Sequence, residues 1–295
     1  MPSLNYAAPA TVQEAVKLLA GASGLAKVLS GGTDLLVQLR SGRTRPELIV
    51  DTKKIPGIIG IREEDGGFVI GAATPGMALF EHPSLKQTWP GVVEAANLIG
   101  SKQVQGRASL AGNLCNASPA ADSVPAMIAA GATCLIAGSD GTRQAKVEDI
   151  VIGPGRTSLA RDEFIVEFRL PKRDARSGDA YLRFIPRTEM DIAVVGCGVC
   201  LTLDANGVCT AARVVLGAVA PTPVLVPEAA AALVGHKLDD ATLEMLDAAA
   251  RRACNPIDDK RGTIDYRTKV AGVLARRTAA IAFNRASGSK SAGGH

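Results

Sequence analysis

Aromatic side chains are scarce in this 295-residue chain: they make up 3% of it, and Trp89 is the single tryptophan. Stacking platforms for single-stranded nucleic acid are therefore wanting, and any core must be built from Ala, Val, Leu and Ile. Charge of one sign is not concentrated either. The 33 basic and 29 acidic residues leave a net charge of +4 and are spread along the chain, which gives no electrostatic footprint for nucleic acid. The densest basic segment holds Arg267, Lys269, Arg276, Arg277 and Arg285 at roughly helical spacing. It reads as a solvated helix face or, failing that, as a partner-docking surface.

Long apolar runs are also missing. AMIAAGATCLIAG and DIAVVGCGVCLTL are interrupted by glycine and fall short of a membrane span. The start, MPSLNYAAPATVQEAV, lacks the basic and apolar regions of a secretory signal, so a soluble cytoplasmic protein is expected. Histidine occurs at 82, 236 and 295 only, and there is no Walker loop, HExxH or GxSxG elbow, which leaves a hydrolase without support. GPGRTS (153–158) and GCGVCL (196–201) begin as GxG but lack the third glycine of the nicotinamide fingerprint. Of the cysteines at 115, 134, 197, 200, 209 and 254, only 197 and 200 make a CxxC. They sit in a strand-like run, where residues three apart face opposite ways, so free core thiols are expected rather than a metal or redox pair.

What is present suits a protein of two or three domains, since 47% of the residues are hydrophobic. Thr11 followed by Glu14 opens an amphipathic helix with apolar residues at 12, 15, 16, 18 and 19. AKVLSGG is a strand running into two glycines, LLVQLRSG a helix closed by Gly42, and ELIVD (47–51) a second strand, together a small α/β unit. KKIPGIIG reads as a connector and GGFVIGAATP (66–75) as a strand. A helical pattern broken at Pro83 and Pro90 follows from Phe80 to about Gln105, then a second Gly-, Asn- and Ser-rich turn, a helix, and further strand signals up to Leu170. The charged run RLPKRDARSGDAYLRF places a boundary near residue 176. Beyond it DANG is the turn of a hairpin, helices follow, and SGSKSAGGH is a low-complexity tail. The divisions are 1–57, 58–176, an α+β domain over 177–287, and a disordered tail over 288–295.

Two loops carry the chemistry, SGGTD (30–34) and SLAGN (109–113). Each offers unencumbered backbone N–H groups, and Ser30, Thr33, Ser109 and Asn113 add polar side chains. A pyrophosphate needs donors from several directions, which two loops supply better than one. The bland alternative is a pair of empty turns. Asp122 is either an acceptor for a sugar hydroxyl or a helix cap.

In order, SGGTDLL, SKQVQGRASLAGNLCNASPAADSVP, GPGRTSL and YLRFIPRTEMDIAVVG resemble the flavin subunit of the molybdenum hydroxylases, the medium chain of carbon monoxide dehydrogenase-type and bacterial xanthine dehydrogenase-type complexes, over residues 3 to 285. The resemblance implies an α+β protein: a two-part α/β FAD-binding region of the PCMH type followed by a C-terminal α+β domain. It implies FAD held by the first loop (Leu29, Ser30, Gly31, Gly32, Thr33, Asp34, Leu35, Leu36) and the second (Ser109, Leu110, Ala111, Gly112, Asn113), with Asp122 a ligand. Ile99 and Leu159 join that site. Ile192 stands where the family lets a side chain cover the isoalloxazine. Where relatives present a lysine the candidates here are Arg183 and Arg187, and Ala111 replaces a frequent second glycine. Substrate hydroxylation would belong to a large subunit with the molybdenum cofactor, and the [2Fe-2S] clusters to a small one, in a heterohexameric dimer of heterotrimers. FAD would pass electrons from those clusters to NAD+, a quinone or O2. The competing readings are a stand-alone FAD-dependent oxidase and a non-enzymatic nucleotide-binding module.

Overall fold

The computed structural model describes residues 4–187 and 190–288. It opens with β1 (Asn5–Ala7), α1 (Val12–Ala20), β2 (Ala26–Leu29), α2 (Leu35–Arg40) and β3 (Leu48–Asp51), the strands forming a parallel sheet in the order β1-β3-β2. The Thr11 hydroxyl accepts from the Glu14 amide at 3.1 Å, while the Glu14 carboxylate accepts from the Ala10 amide at 2.8 Å, one residue earlier than an ordinary capping box. Ala15 and Leu19 are the buried face of α1. Strand β1 is an addition to the expected unit, since three residues are too few to show a period.

A second sheet contains β4 (Ile61–Glu64), β5 (Gly67–Gly71), β6 (Thr133–Gly138), β7 (Gly141–Lys146) and β10 (Phe164–Leu170) in the order β4-β5-β10-β6-β7. Between β5 and β6 run α3 (Gly76–Glu81), α4 (Pro83–Thr88), α5 (Pro90–Asn97), α6 (Lys102–Gln105), α7 (Leu110–Cys115) and α8 (Ser123–Ala129). Pro83 and Pro90 each stand at a helix's first position, where a missing N–H costs nothing. The small hairpin β8 (Val151–Gly153) and β9 (Arg156–Thr157) lies between β7 and β10. Both sheets share one apolar core, from Leu19 and Val50 to Ile70, Met127, Ile136 and Phe168.

The last part is an antiparallel sheet of β11 (Ser177–Phe184), β12 (Val195–Leu203), β13 (Cys209–Gly217) and β14 (Val224–Leu225), with α9 (Pro227–Leu233), α10 (Asp240–Arg252) and α11 (Ile264–Ala286). Asp204, Asn206 and Gly207 turn the expected hairpin between β12 and β13. Ala271, Ala275, Ala279 and Ala282 form the buried face of α11. At Gly178 a Cβ would lie 1.8 Å from the Ala282 carbonyl oxygen, so helix and strand meet backbone to backbone. Small residues thus give the close packing that a chain poor in aromatics cannot reach with rings. Cys197 is buried in this second core while Cys200, on the opposite face of β12, packs against the first. Cys115 departs from the expectation of core thiols, being exposed.

In the boundary segment Lys172, Asp174 and Arg176 are exposed, but Asp179 is buried with Arg173 as its partner. Asp179 is 3% exposed, and its carboxylate accepts from the Gly91 amide at 2.8 Å and from Arg173 Nη1 at 2.7 Å. Arg173 in turn lies over the Trp89 ring. Arg285 donates to the Asp179 carbonyl at 2.8 Å and to Glu94, and Arg267, 4% exposed, donates to the Val194 carbonyl at 2.7 Å and to Asp259. The reading of residues 267–285 as a solvated basic face is therefore corrected. Tertiary partners draw Arg267 inward and bind Arg285 across to α5, while Lys269 and Arg277 remain exposed. Of the expected disordered tail, all but Gly288 lies outside the described residues.

Replacing Asp179 strands the buried Arg173 guanidinium and the Gly91 amide. Asp179→Ala is expected to lower stability by about 3–5 kcal/mol, and Asp179→Asn, which keeps an acceptor, by less. Urea unfolding midpoints of the two variants check the order.

Candidate functional site

The first Gly-bearing loop leaves the end of β2 and enters α2, and its path is held from three sides. Lys53, just after β3, donates to the Ser30 carbonyl at 3.1 Å and to Asp51 Oδ1 at 2.6 Å. The Ser30 hydroxyl donates to the Ala72 carbonyl at 3.3 Å, beside β5. Its oxygen lies 2.7 Å from the Ser109 hydroxyl oxygen, at the head of the second loop. Because the Ser30 proton is committed to Ala72, Ser109 is the donor of that bond. The Ser109 oxygen also accepts from the Gly112 amide at 3.2 Å, capping α7. Farther along, Gln38 of α2 donates to Asn116 Oδ1 at 2.8 Å.

Gly31 makes this approach possible. A Cβ there would lie 2.0 Å from the Arg107 carbonyl oxygen, a backbone atom that cannot swing aside. Gly32 has φ +83°, a left-handed conformation that a side chain would strain. Between the loops lies a cavity of about 610 Å³, the size class of small-molecule sites. Residues 30–35, Ser109, Ala111, Gly112 and Leu159 line it. Leu29, Leu36, Leu110, Asn113, Ile99, Asp122, Arg183 and Ile192 do not. Leu36 is 45% and Ile192 51% exposed, Leu110 is in the core, and Leu29 and Ile99 are half-buried.

The polar groups divide into those that build the site and those left over. The protons of Ser30 and Ser109 hold the loops together, and Asn113 Oδ1 accepts from the Ser123 amide and hydroxyl at 3.1 and 2.7 Å. Left over, with no protein acceptor among the described residues, are the backbone N–H groups of Gly31, Gly32, Thr33 and Asp34 on the first loop and that of Ala111 on the second, while the Leu110 amide is taken up by the bridge between Pro75 and Ser109. Unpaired donors on facing loops form the cradle that a diphosphate takes. The residues present therefore fit the phosphate portion of a dinucleotide such as FAD.

A second polar cluster lies where α8 meets β11. Asp122 stands at the N-cap position of α8, yet its side chain makes no cap bond. Instead it accepts from Tyr181 Oη at 3.1 Å and from Arg183 Nη1 at 2.7 Å, which resolves the sequence alternative against a cap. Arg183 Nε is buried with no partner, whereas Arg187 is exposed and paired to Asp191. Tyr181 was not singled out from sequence, although its position two residues before Arg183 puts both on one strand face. Lys53, Gln38, Asn116 and Arg161 were also missed. Their partners are remote in sequence, and only for Lys53, two residues beyond the strand ELIVD, was there a local cue.

Burial pushes the Asp122 carboxyl up to about 6 from its ordinary 3.8, against the pull of Arg183 and Tyr181. Between these values the folded chain keeps a proton that the unfolded chain has released, so this group's contribution to stability falls as pH rises, by about 3 kcal/mol in all. Asp122→Asn cannot titrate. Relative to wild type it should gain about that much stability between pH 4 and 6.5, measured by denaturant unfolding at both ends; a difference independent of pH would contradict the assignment.

Comparison with known proteins agrees with this geometry. The family profile described as the FAD binding domain in molybdopterin dehydrogenase matches residues 2–173, and that of the CO dehydrogenase flavoprotein C-terminal domain matches residues 180–282. The carbon monoxide dehydrogenase medium chain of Hydrogenophaga pseudoflava is 33% identical over 96% of this chain and 98% of its own length. A putative xanthine dehydrogenase FAD-binding subunit of Escherichia coli K12 is 31% identical over 96% and 97%. The solved carbon monoxide dehydrogenase of H. pseudoflava lacking the Mo-pyranopterin moiety of its molybdenum cofactor contains a chain that superposes with a TM-score of 0.92, at 34% identity, over 97% of this chain and 99% of that one. A cavity between two amide-bearing loops, a C-terminal sheet docked on the same core, and matches running nearly end to end agree: this chain belongs to the family of FAD-binding medium subunits of the molybdenum hydroxylases.

Proposed function

We propose that the chain holds FAD with its pyrophosphate between residues 29–36 and 109–113 and serves as the electron-outlet subunit of a molybdenum hydroxylase complex. The observation that carries this reading is the run of unpartnered amides from Gly31 to Asp34, facing that of Ala111 and held in place by the Ser30–Ser109 bond and by Gly31 against Arg107. FAD, when bound, supplies the exchange between one-electron donors such as [2Fe-2S] clusters and an acceptor such as NAD+, a quinone or O2. The chain's own residues bind and orient. The two loops fix the phosphates, Leu159 and Ile99 provide apolar contacts, and the Asp122–Arg183 pair, where α8 meets β11, is assigned to the cofactor as a paired charge. Ile192, exposed on the loop between β11 and β12, covers the ring system. Histidine is absent from the cavity wall, in keeping with a subunit that moves electrons without acid or base work on an organic substrate.

In this reading the chain is divided into 1–57 and 58–176, which bind FAD, and 177–287. A small [2Fe-2S] subunit and a large molybdenum-cofactor subunit complete a cytoplasmic dimer of heterotrimers. Among the described residues no helix is long and apolar enough to cross a membrane, and no group of His, Cys, Asp and Glu could hold a metal ion. The clusters and the molybdenum are assigned to the partners in this reading.

Gly31→Val should force the loops apart and abolish stoichiometric FAD in the purified chain. Gly112→Val, whose Cβ would meet only the Ser109 hydroxyl at 3.2 Å, should weaken FAD while leaving the fold intact by circular dichroism. Flavin retained at full occupancy in both variants would contradict the two-loop cradle.

A further inference from the structure

The cavity has walls of different origin. One is made by the first sheet, from the turn after α1 through β2 to the first loop. The other is made by α7 and the segment from β9 into β10. At the loop end the walls are joined by Ser30, Ser109, Gln38 and Asn116. At the other end they are joined by one exposed side chain. Arg161, on the segment between β9 and β10, reaches 139 residues back along the chain, and its Nη2 donates to the Ala22 carbonyl at 2.5 Å and also to the Gly24 carbonyl. Arg161, Ser23 and Gly24 all line the cavity.

The acceptors of this contact are set in place beforehand. The Ser23 hydroxyl donates to the Glu47 carboxylate at 3.0 Å, and a Cβ on Gly24 would lie 2.1 Å from that same carboxyl group. The turn therefore packs against Glu47 while its carbonyls face the guanidinium. On the other wall, Glu163 accepts from the Ala160 amide at 2.8 Å and from Arg143 Nε at 2.6 Å, which fixes the segment that carries Arg161. Two braced walls are thus bridged by a single long, water-exposed side chain that can let go without disturbing either core.

We propose that Arg161 is a latch across the mouth of the dinucleotide cavity, and that its release is the step that lets FAD enter and leave. The proposal rests on the reading of the cavity as the FAD site. A latch differs from a general brace in its kinetic signature. Opening the mouth speeds dissociation and association together, whereas loosening the fold lowers thermal stability and slows productive binding.

The test uses the full chain loaded with FAD and its Arg161→Ala and Arg161→Lys variants. Dissociation is followed by the rise of flavin fluorescence after mixing with excess phosphodiesterase, which cleaves released FAD to the more fluorescent FMN, association by the quenching of FAD on mixing with apo-protein, and melting on the apo-proteins. Two charge-assisted bonds lost at a solvated rim should make FAD leave about tenfold faster from Arg161→Ala. Association should be equal or faster, apo-protein melting should be unchanged, and Arg161→Lys should lie between. Release from Arg161→Ala within twofold of wild type would overturn the latch while leaving the FAD site standing. So would faster release accompanied by slower association and a lowered apo-protein melting temperature. A folded wild-type chain that takes up no FAD, alone or assembled with its [2Fe-2S] and molybdenum-cofactor subunits, would overturn both the latch and the function it rests on.

Discussion

Everything at the cavity depends on one close approach, that of Gly31 to the Arg107 carbonyl, locked by the Ser30–Ser109 hydrogen bond. The two loops come from different parts of the chain, and loop-closure entropy opposes bringing them together. A single neutral hydrogen bond contributes on the order of 1 kcal/mol net, too little by itself to offset that ordering. The shared apolar core beneath both sheets supplies the remainder, since Leu19, Val50 and Ile70 belong to one cluster with Leu110 and Leu114. The hydroxyl pair then selects the register in which the core closes. Using up both hydroxyl protons is also what leaves the amides as the donors.

The scarcity of rings has a structural counterpart. With six phenylalanines, three tyrosines and one tryptophan in the whole chain, close contact is achieved by backbones approaching across Ala and Gly. The alanine face of α11 over Gly178 is the clearest case. Such packing tolerates little change in volume, because a methyl group added at these positions meets backbone rather than a movable side chain. The sheet it covers is consequently a firm platform, and β11 presents Tyr181 and Arg183 from it to Asp122.

Local elements of the fold could be read directly: the strand, glycine turn and helix at 26–40, the Thr11 cap, the hairpin at Asp204–Gly207, and the opposed faces of Cys197 and Cys200. Each depends on interactions within a few residues or on strand alternation. The two glycine loops could be picked out in sequence, and residues 30–35, Ser109, Ala111 and Gly112 line one cavity, but the roles of the polar side chains could not. Ser30, Ser109 and Asn113 have the composition of phosphate donors, yet their recorded bonds go to protein partners 42, 79 and 10 residues away. The same holds for charge. Arg267 and Asp179 look like solvated residues in sequence, and only their tertiary acceptors and donors explain why they are buried.

Ion pairs line the seam between the C-terminal part and the FAD-binding part: Arg173 with Asp179 and Arg183 with Asp122 are buried, Arg213 with Glu148 and Arg285 with Glu94 partly solvated. An apolar seam of equal area would hold the parts together at least as well, because desolvation cancels much of what a buried ion pair gains. Charge adds directionality. An apolar face can slide by a residue and remain apolar, whereas a guanidinium displaced from a buried carboxylate leaves two unsatisfied charges, a penalty of several kcal/mol at each of the two buried pairs and about 1 kcal/mol or less at the two solvated ones. Four such pairs, spread from β7's flank to the end of α11, fix how the C-terminal sheet docks.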